Sequence, residues 1–220
     1  MKMLEKSAGA GRRLKCSRFS MSRLRANKKA KALLPQIKPQ HDALKAAQLA
    51  ANEAEDAELD ARGPVAEVDA QAHEVMTDMQ FVVAKVVNKK FDHPLYKAVY
   101  PKGLSGIKKL GNSELRAECK RIRGVLAAQP KDSPLLPFVA QLDALDTEWV
   151  APVAAHDKTV AAGALANTRL ETAKHDWYLA YDALAGALRN LFPGRRAFVD
   201  SFFLDVSTAP KKAKAVALAA

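Results

Sequence analysis

A chain of 220 residues with 49% apolar and 27% charged residues can bury a core, which excludes disorder throughout. Its two cysteines, Cys16 and Cys119, have no second cysteine nearby, which excludes zinc knuckles and CxxC redox chemistry; free, reduced thiols are expected rather than a Cys16–Cys119 disulfide. No apolar run approaches the roughly 18 residues of a membrane span, the N-terminus lacks the apolar segment of a secretory signal, and a cytoplasmic protein is expected.

The net charge of +11 is concentrated at the chain ends. Residues 1–34 hold Lys2, Lys6, Arg12, Arg13, Lys15, Arg18, Arg23, Arg25, Lys28, Lys29 and Lys31 against one acid, Glu5, a balance of +10. Lys211, Lys212 and Lys214 add +3 in the tail, and the body between is left at −2. A cationic arm of this kind attracts phosphates with salt-sensitive, sequence-blind affinity. Arg12, Arg13, Lys15, Arg18, Arg23, Arg25, Lys28, Lys29 and Lys31 are therefore the candidate anion-binding residues. Phe19 is the only aromatic in the arm, which offers little for base stacking. Leu14, Phe19, Met21 and Leu24 interleave with the charges, a pattern that also suits a helix on an anionic membrane surface. The Arg- and Ser-rich, acid-poor composition matches an organellar transit peptide as well.

Pro35 and Pro39 mark an extended exit from the arm, since the residue before a proline is pushed away from helix. A helix is predicted from about His41 to Ala61 with only Leu44, Leu49 and Leu59 as large apolar residues. Gly63-Pro64 is expected to end it and to open a second helix reaching Lys90, because glycine suits a helix C-terminus and proline a first turn. Val65, Val68, Ala72, Val75, Met76, Met79, Val82, Val83, Val86 and Val87 give that helix an apolar stripe. An irregular stretch follows from Phe91 to Gly111, then a helix capped by Ser113 with Leu115, Cys119, Ile122, Val125 and Leu126 inward. Leu135, Phe138, Leu142, Leu145 and Trp149 form a seam at alternating three- and four-residue steps in a fourth helix. Pro152 opens a fifth helix to about Leu191, Pro193-Gly194 stops it, and a short amphipathic helix from Arg195 to Leu204 closes the series.

The segment Gly63-Pro64-Val65-Ala66-Glu67-Val68-Asp69 echoes Ala151-Pro152-Val153-Ala154-Ala155-His156-Asp157, and Tyr100-Pro101-Lys102-Gly103 echoes Phe192-Pro193-Gly194-Arg195. The shared order predicts a duplicated helical hairpin, and two such hairpins bury their apolar faces against one another. The expected fold is all-α: an antiparallel four-helix bundle from two pseudo-repeated hairpins plus short helices, with a basic N-terminal arm. Its parts are the arm at 1–34, a first hairpin and short helix at 35–130, a second at 131–206 and a flexible basic tail at 207–220. Tyr96, Tyr100, Phe192, Phe198, Phe202 and Phe203 gather at one bundle end, where they either cap the core or form an interaction surface.

Recognisable catalytic patterns are absent. Gly103-Leu104-Ser105-Gly106 lacks the spacing and the preceding strand of a nucleophile elbow, and neither a phosphate loop nor a dinucleotide-binding glycine pattern occurs. The Glu-x-x-His signature of dinuclear bundle sites is missing. Asp69 with His73, Glu171 with His175, and His156 with Asp157 are the alternative metal ligands, although i,i+4 pairs of this kind serve equally as surface ion pairs. The sequence thus predicts a non-enzymatic structural or interaction protein without a cofactor. It self-assembles or joins a larger complex, with the cationic arm engaging an anionic partner. The alternatives are a nucleic-acid-binding protein and a bundle-type metal-binding protein.

Overall fold

Alanine-rich segments with an apolar residue every third or fourth position leave the backbone one economical solution, the helix. The computed structural model describes residues 7–205, of which 81% are helical and none lies in a strand. The tail predicted at 207–220, and Lys2 and Lys6 of the arm, lie outside the described residues. The helices are α1 (Ala10–Ala26), α2 (Leu34–Val86), α3 (Pro94–Val99), α4 (Gly103–Ile107), α5 (Asn112–Ala127), α6 (Pro137–Leu191) and α7 (Arg196–Asp200), with a single 3-10 turn at Ala30–Leu33. Among the described residues no helix is long and apolar enough to cross a membrane.

The predicted hairpin turns at Gly63-Pro64 and Ala151-Pro152 do not form; both sequences lie inside the continuous helices α2 and α6. A proline inside a helix removes one backbone hydrogen bond and crowds the preceding turn. Burial beside each proline outweighs that cost. Val65 and Val68 are buried just after Pro64, and Leu145 and Trp149 just before Pro152. The Trp149 Nε1–H donates to Asp69 Oδ1 at 3.0 Å, tying the two segments together. Pro35 falls in the first turn of α2 rather than in a linker, where its missing N–H is no loss.

Two compact units result, and they cut across the expected halves of the chain. The first consists of residues up to Ala54 together with those from Gly163 onward, and the second is Glu55–Ala162. In the second, Met76, Met79 and Val83 of α2, Leu115, Ile122 and Leu126 of α5, and Leu142 and Trp149 of α6 share one core. The predicted seam from Leu135 to Trp149 is buried at every position. Helix α3, which fills part of the stretch expected to be irregular, is held to α2 by the Tyr100 hydroxyl, which donates to the Met76 carbonyl at 2.7 Å. Helix α5 begins one turn boundary earlier than predicted, with the Gly111 N–H donating to the Glu114 carboxylate. Arg116 and Lys120 on α5 both reach Asp146 on α6, at 2.6 and 3.2 Å.

In the first unit, Ile37 and Leu44 of α2 and Trp177, Tyr181, Leu184 and Leu188 of α6 meet Cys16, Met21 and Leu24 of α1, with Val199, Phe202 and Phe203 closing one end. Each leucine or isoleucine buried in this way stabilises the fold by about 1.5–3 kcal/mol. Residues 10–26, expected in the basic arm, therefore form a helix of the core.

A Cβ added at Gly63 meets nothing within 4 Å. Gly63→Ala is therefore expected to raise stability by about 0.5–1 kcal/mol, and Pro152→Ala by about 1–3 kcal/mol. Thermal unfolding followed by circular dichroism measures both. A drop in stability for either variant would place a chain turn at that position.

Candidate anion-binding surface

Helix α1 has two chemically distinct sides. Ala10, Arg13, Cys16, Ser17, Ser20, Met21 and Leu24 are buried, while Arg12, Lys15, Arg18, Phe19, Arg23 and Arg25 are exposed. The spacing of Arg12, Lys15, Arg18 and Arg25 places them along one exposed face at 100° per residue. Lys28, Lys29 and Lys31 continue the positive charge into the 3-10 turn, and Lys38 and Lys45 add to it from α2. Across residues 7–45 the only acid is Asp42, which is paired with Lys38.

The buried side is unusually polar, and each polar group is answered. Arg13 is 3% exposed. Its Nε donates to the Ala8 carbonyl at 2.8 Å and its Nη1 to the Lys174 carbonyl at 2.7 Å, with the guanidinium 5.5 Å from the centre of the Trp177 ring. Burial pulls the Arg13 pKa below its usual value, and Glu171 and Tyr178 oppose the shift. Ser17 Oγ and His41 Nδ1 share a hydrogen bond of 2.6 Å. Desolvation holds His41 below the usual imidazole range; Asp42 works against this, while Arg18, Lys45 and Lys38 add to it. Ser20 Oγ and the Tyr181 hydroxyl share a further bond of 3.2 Å, and burial raises the Tyr181 pKa. Ser17 is fully buried, so its pairing with His41 docks α1 on α2 and offers no accessible nucleophile.

Of the nine cations predicted to meet an anion, Arg13 is thus taken up in the core. Arg23 is exposed yet engaged, since its Nη2 donates to Ser201 Oγ at 3.0 Å and its guanidinium lies 5.7 Å from the Phe202 ring centre. Arg12, Lys15, Arg18, Arg25, Lys28, Lys29 and Lys31 all present exposed side chains on one continuous stretch of chain.

The predicted aromatic surface faces inward. Tyr96 and Tyr100 are buried in the second unit, and Phe192, Phe202 and Phe203 in the first, while Phe198 is half-buried. Phe192, Phe198 and Phe202 pack on one another with ring centres 5.0 to 6.1 Å apart. These residues close cores, and the large apolar side chains left outside are others, notably Phe81 at 70% and Phe91 at 56% exposure.

The six alternative metal ligands are not brought together as a set. Asp69 accepts from Trp149, Glu171 pairs with Lys174 at 2.6 Å, and His175 is exposed. The Nδ1 of His73 is buried and has no partner. His156 and Asp157 line a cleft of about 560 Å³ in the second unit, with Val65, Trp149, Val153, Arg116 and Lys120 around it. No group of three or more His, Cys, Asp or Glu side chains suited to a metal gathers among the described residues.

If Arg13 is a core residue and Lys15 a surface one, their substitutions separate cleanly. Arg13→Gln leaves the Lys174 carbonyl short of a charged donor and is expected to cost about 1.5–3 kcal/mol in urea unfolding, whereas Lys15→Gln stays within about 0.5 kcal/mol of the parent. Equal effects would mean that both side chains are solvated. No protein-family model, curated protein or solved structure matches the chain.

Proposed function

We propose that the chain is a non-enzymatic helical protein that grips a phosphate-rich polyanion, nucleic acid above all, with the outer face of α1 and the lysines that follow it. The observation that carries this reading is the two-sidedness of α1. One side is locked into the core by Arg13, Ser17, Ser20 and Leu24, and the other displays Arg12, Lys15, Arg18 and Arg25. A cationic row on a fixed helix meets successive phosphates without first having to be ordered, so less binding energy is lost to entropy than with a solvated arm. The guanidiniums suit phosphate oxygens geometrically, and residues 10–41 contain no acid.

Phe19, 36% exposed at the middle of the row, adds one aromatic face. Sequence preference is consequently weak. The compact helical units supply the scaffold, and exposed Phe81 and Phe91 on the second unit are where contact with a further protein chain, or with another copy, would be made. A structural role in an assembly containing nucleic acid reconciles both features.

Lys15→Glu, Arg18→Glu and Arg25→Glu combined are expected to lower the affinity for a mixed-sequence oligonucleotide at least about tenfold, and to flatten the slope of log affinity against log salt by about 2–3. Fluorescence anisotropy across a salt series gives both quantities. An unchanged affinity and slope in the folded triple variant would refute the proposal.

A further inference from the structure

Three arginines surround a second hollow in the first unit, at the C-terminal end of α6. Arg189 from the last turns of α6, Arg195 from the connecting turn and Arg196 from the start of α7 line a cleft of about 370 Å³. Phe192 and Val199, both buried, form its apolar floor, and Asp200 is the one carboxylate of the lining. Among the described residues none of the three guanidiniums forms an ion pair. The contrast with the larger cleft of the second unit is direct. There, Arg116 and Lys120 are both already held by Asp146.

The backbone around the arginines is fixed. Gly194 sits at φ +73°, a left-handed conformation that reverses the chain between α6 and α7. Its neighbour Arg195 then lies over the Phe198 ring at 4.6 Å, and Phe198 is itself wedged between Phe192 and Phe202. Stacking of this kind removes rotamer freedom from the guanidinium before any ligand arrives. Like charges held around one hollow repel each other, and an anion is what relieves that repulsion.

We propose that this cleft binds the phosphate group of a phosphoester. A carboxylate is satisfied by one bidentate arginine, whereas a phosphate offers three or more acceptor oxygens and up to two charges, which matches three donor forks. The volume exceeds that of a phosphate alone and lies within the range of about 300–1,000 Å³ typical of ligand sites. The apolar floor of Phe192 and Val199 accommodates the sugar or other organic part of the ester. The site is separate from the α1 row and stands whether or not that row binds nucleic acid.

The test uses the full chain and inorganic pyrophosphate at low salt, by calorimetry and by backbone amide NMR. Pyrophosphate is expected to bind, with the largest amide shifts at Gly194, Arg195 and Arg196. Arg195→Gln with Arg196→Gln is expected to weaken binding at least about tenfold, while the Lys15/Arg18/Arg25 charge-reversal variant stays within about threefold of the parent. Absence of binding, or shifts centred on α1, overturns the proposal on the parent protein alone, even should the arginine variant fail to fold. Equal loss in the two variants overturns it too, because bulk charge would then explain the binding. Ribose 5-phosphate and an oligothymidylate without terminal phosphates identify the source. Tighter binding of the first supports a small phosphoester and tighter binding of the second a strand, while failure of both to displace pyrophosphate rejects the phosphoester assignment.

Discussion

Two helices lying side by side can each hide only one narrow seam, and α2 and α6 both carry apolar residues broader than a seam. In each unit a third element has to cover what remains. Helix α5, with α3, does this in the second unit through Leu115, Ile122, Leu126 and Tyr100. Helix α1 does it in the first through Cys16, Met21 and Leu24. The consequence for α1 is decisive, because a segment carrying so many cations is thereby made part of a core and its charges are sorted to one side.

That sorting needs polar chemistry as well as apolar burial. Arg13, Ser17 and Ser20 lie on the buried side of α1, and each would destabilise the fold if left without partners. The Lys174 carbonyl, His41 and Tyr181 answer them in turn. Two of these partners come from α6 and one from α2, so the polar bonds fix the register of α1 against both long helices more sharply than the small apolar residues could alone. The outer row of Arg12, Lys15, Arg18 and Arg25 inherits that register. Surface charge and core hydrogen bonding are in this sense one structure seen from two sides.

The all-helical class, helix α5 and the seam from Leu135 to Trp149 were legible in the sequence, because apolar spacing reports directly on burial. Two features misled it. Gly63-Pro64 and Ala151-Pro152 carry strong local turn chemistry, and the packing of Val65, Val68 and Trp149 overrides it. In α1 the inward positions include Arg13, Ser17 and Ser20 beside Cys16, Met21 and Leu24, so the periodicity that marks a core helix is faint on a hydropathy scale. Which of the arm's cations face solvent depends on His41 and Lys174, residues outside the arm. The Arg189, Arg195 and Arg196 cleft had no sequence signal, since it exists only once Gly194 turns α7 back beside α6.

The placement of α1 in the core is most directly tested by thiol reactivity. Cys16 is 2% and Cys119 1% exposed, and burial raises both thiol pKa values, that of Cys119 to about 12. With α1 docked, Cys16 in the native full chain reacts with a charged thiol reagent as slowly as Cys119, and both become reactive together as denaturant unfolds the protein. Immediate modification of Cys16 in native buffer, with Cys119 still protected, would show instead that residues 10–26 are a solvated arm.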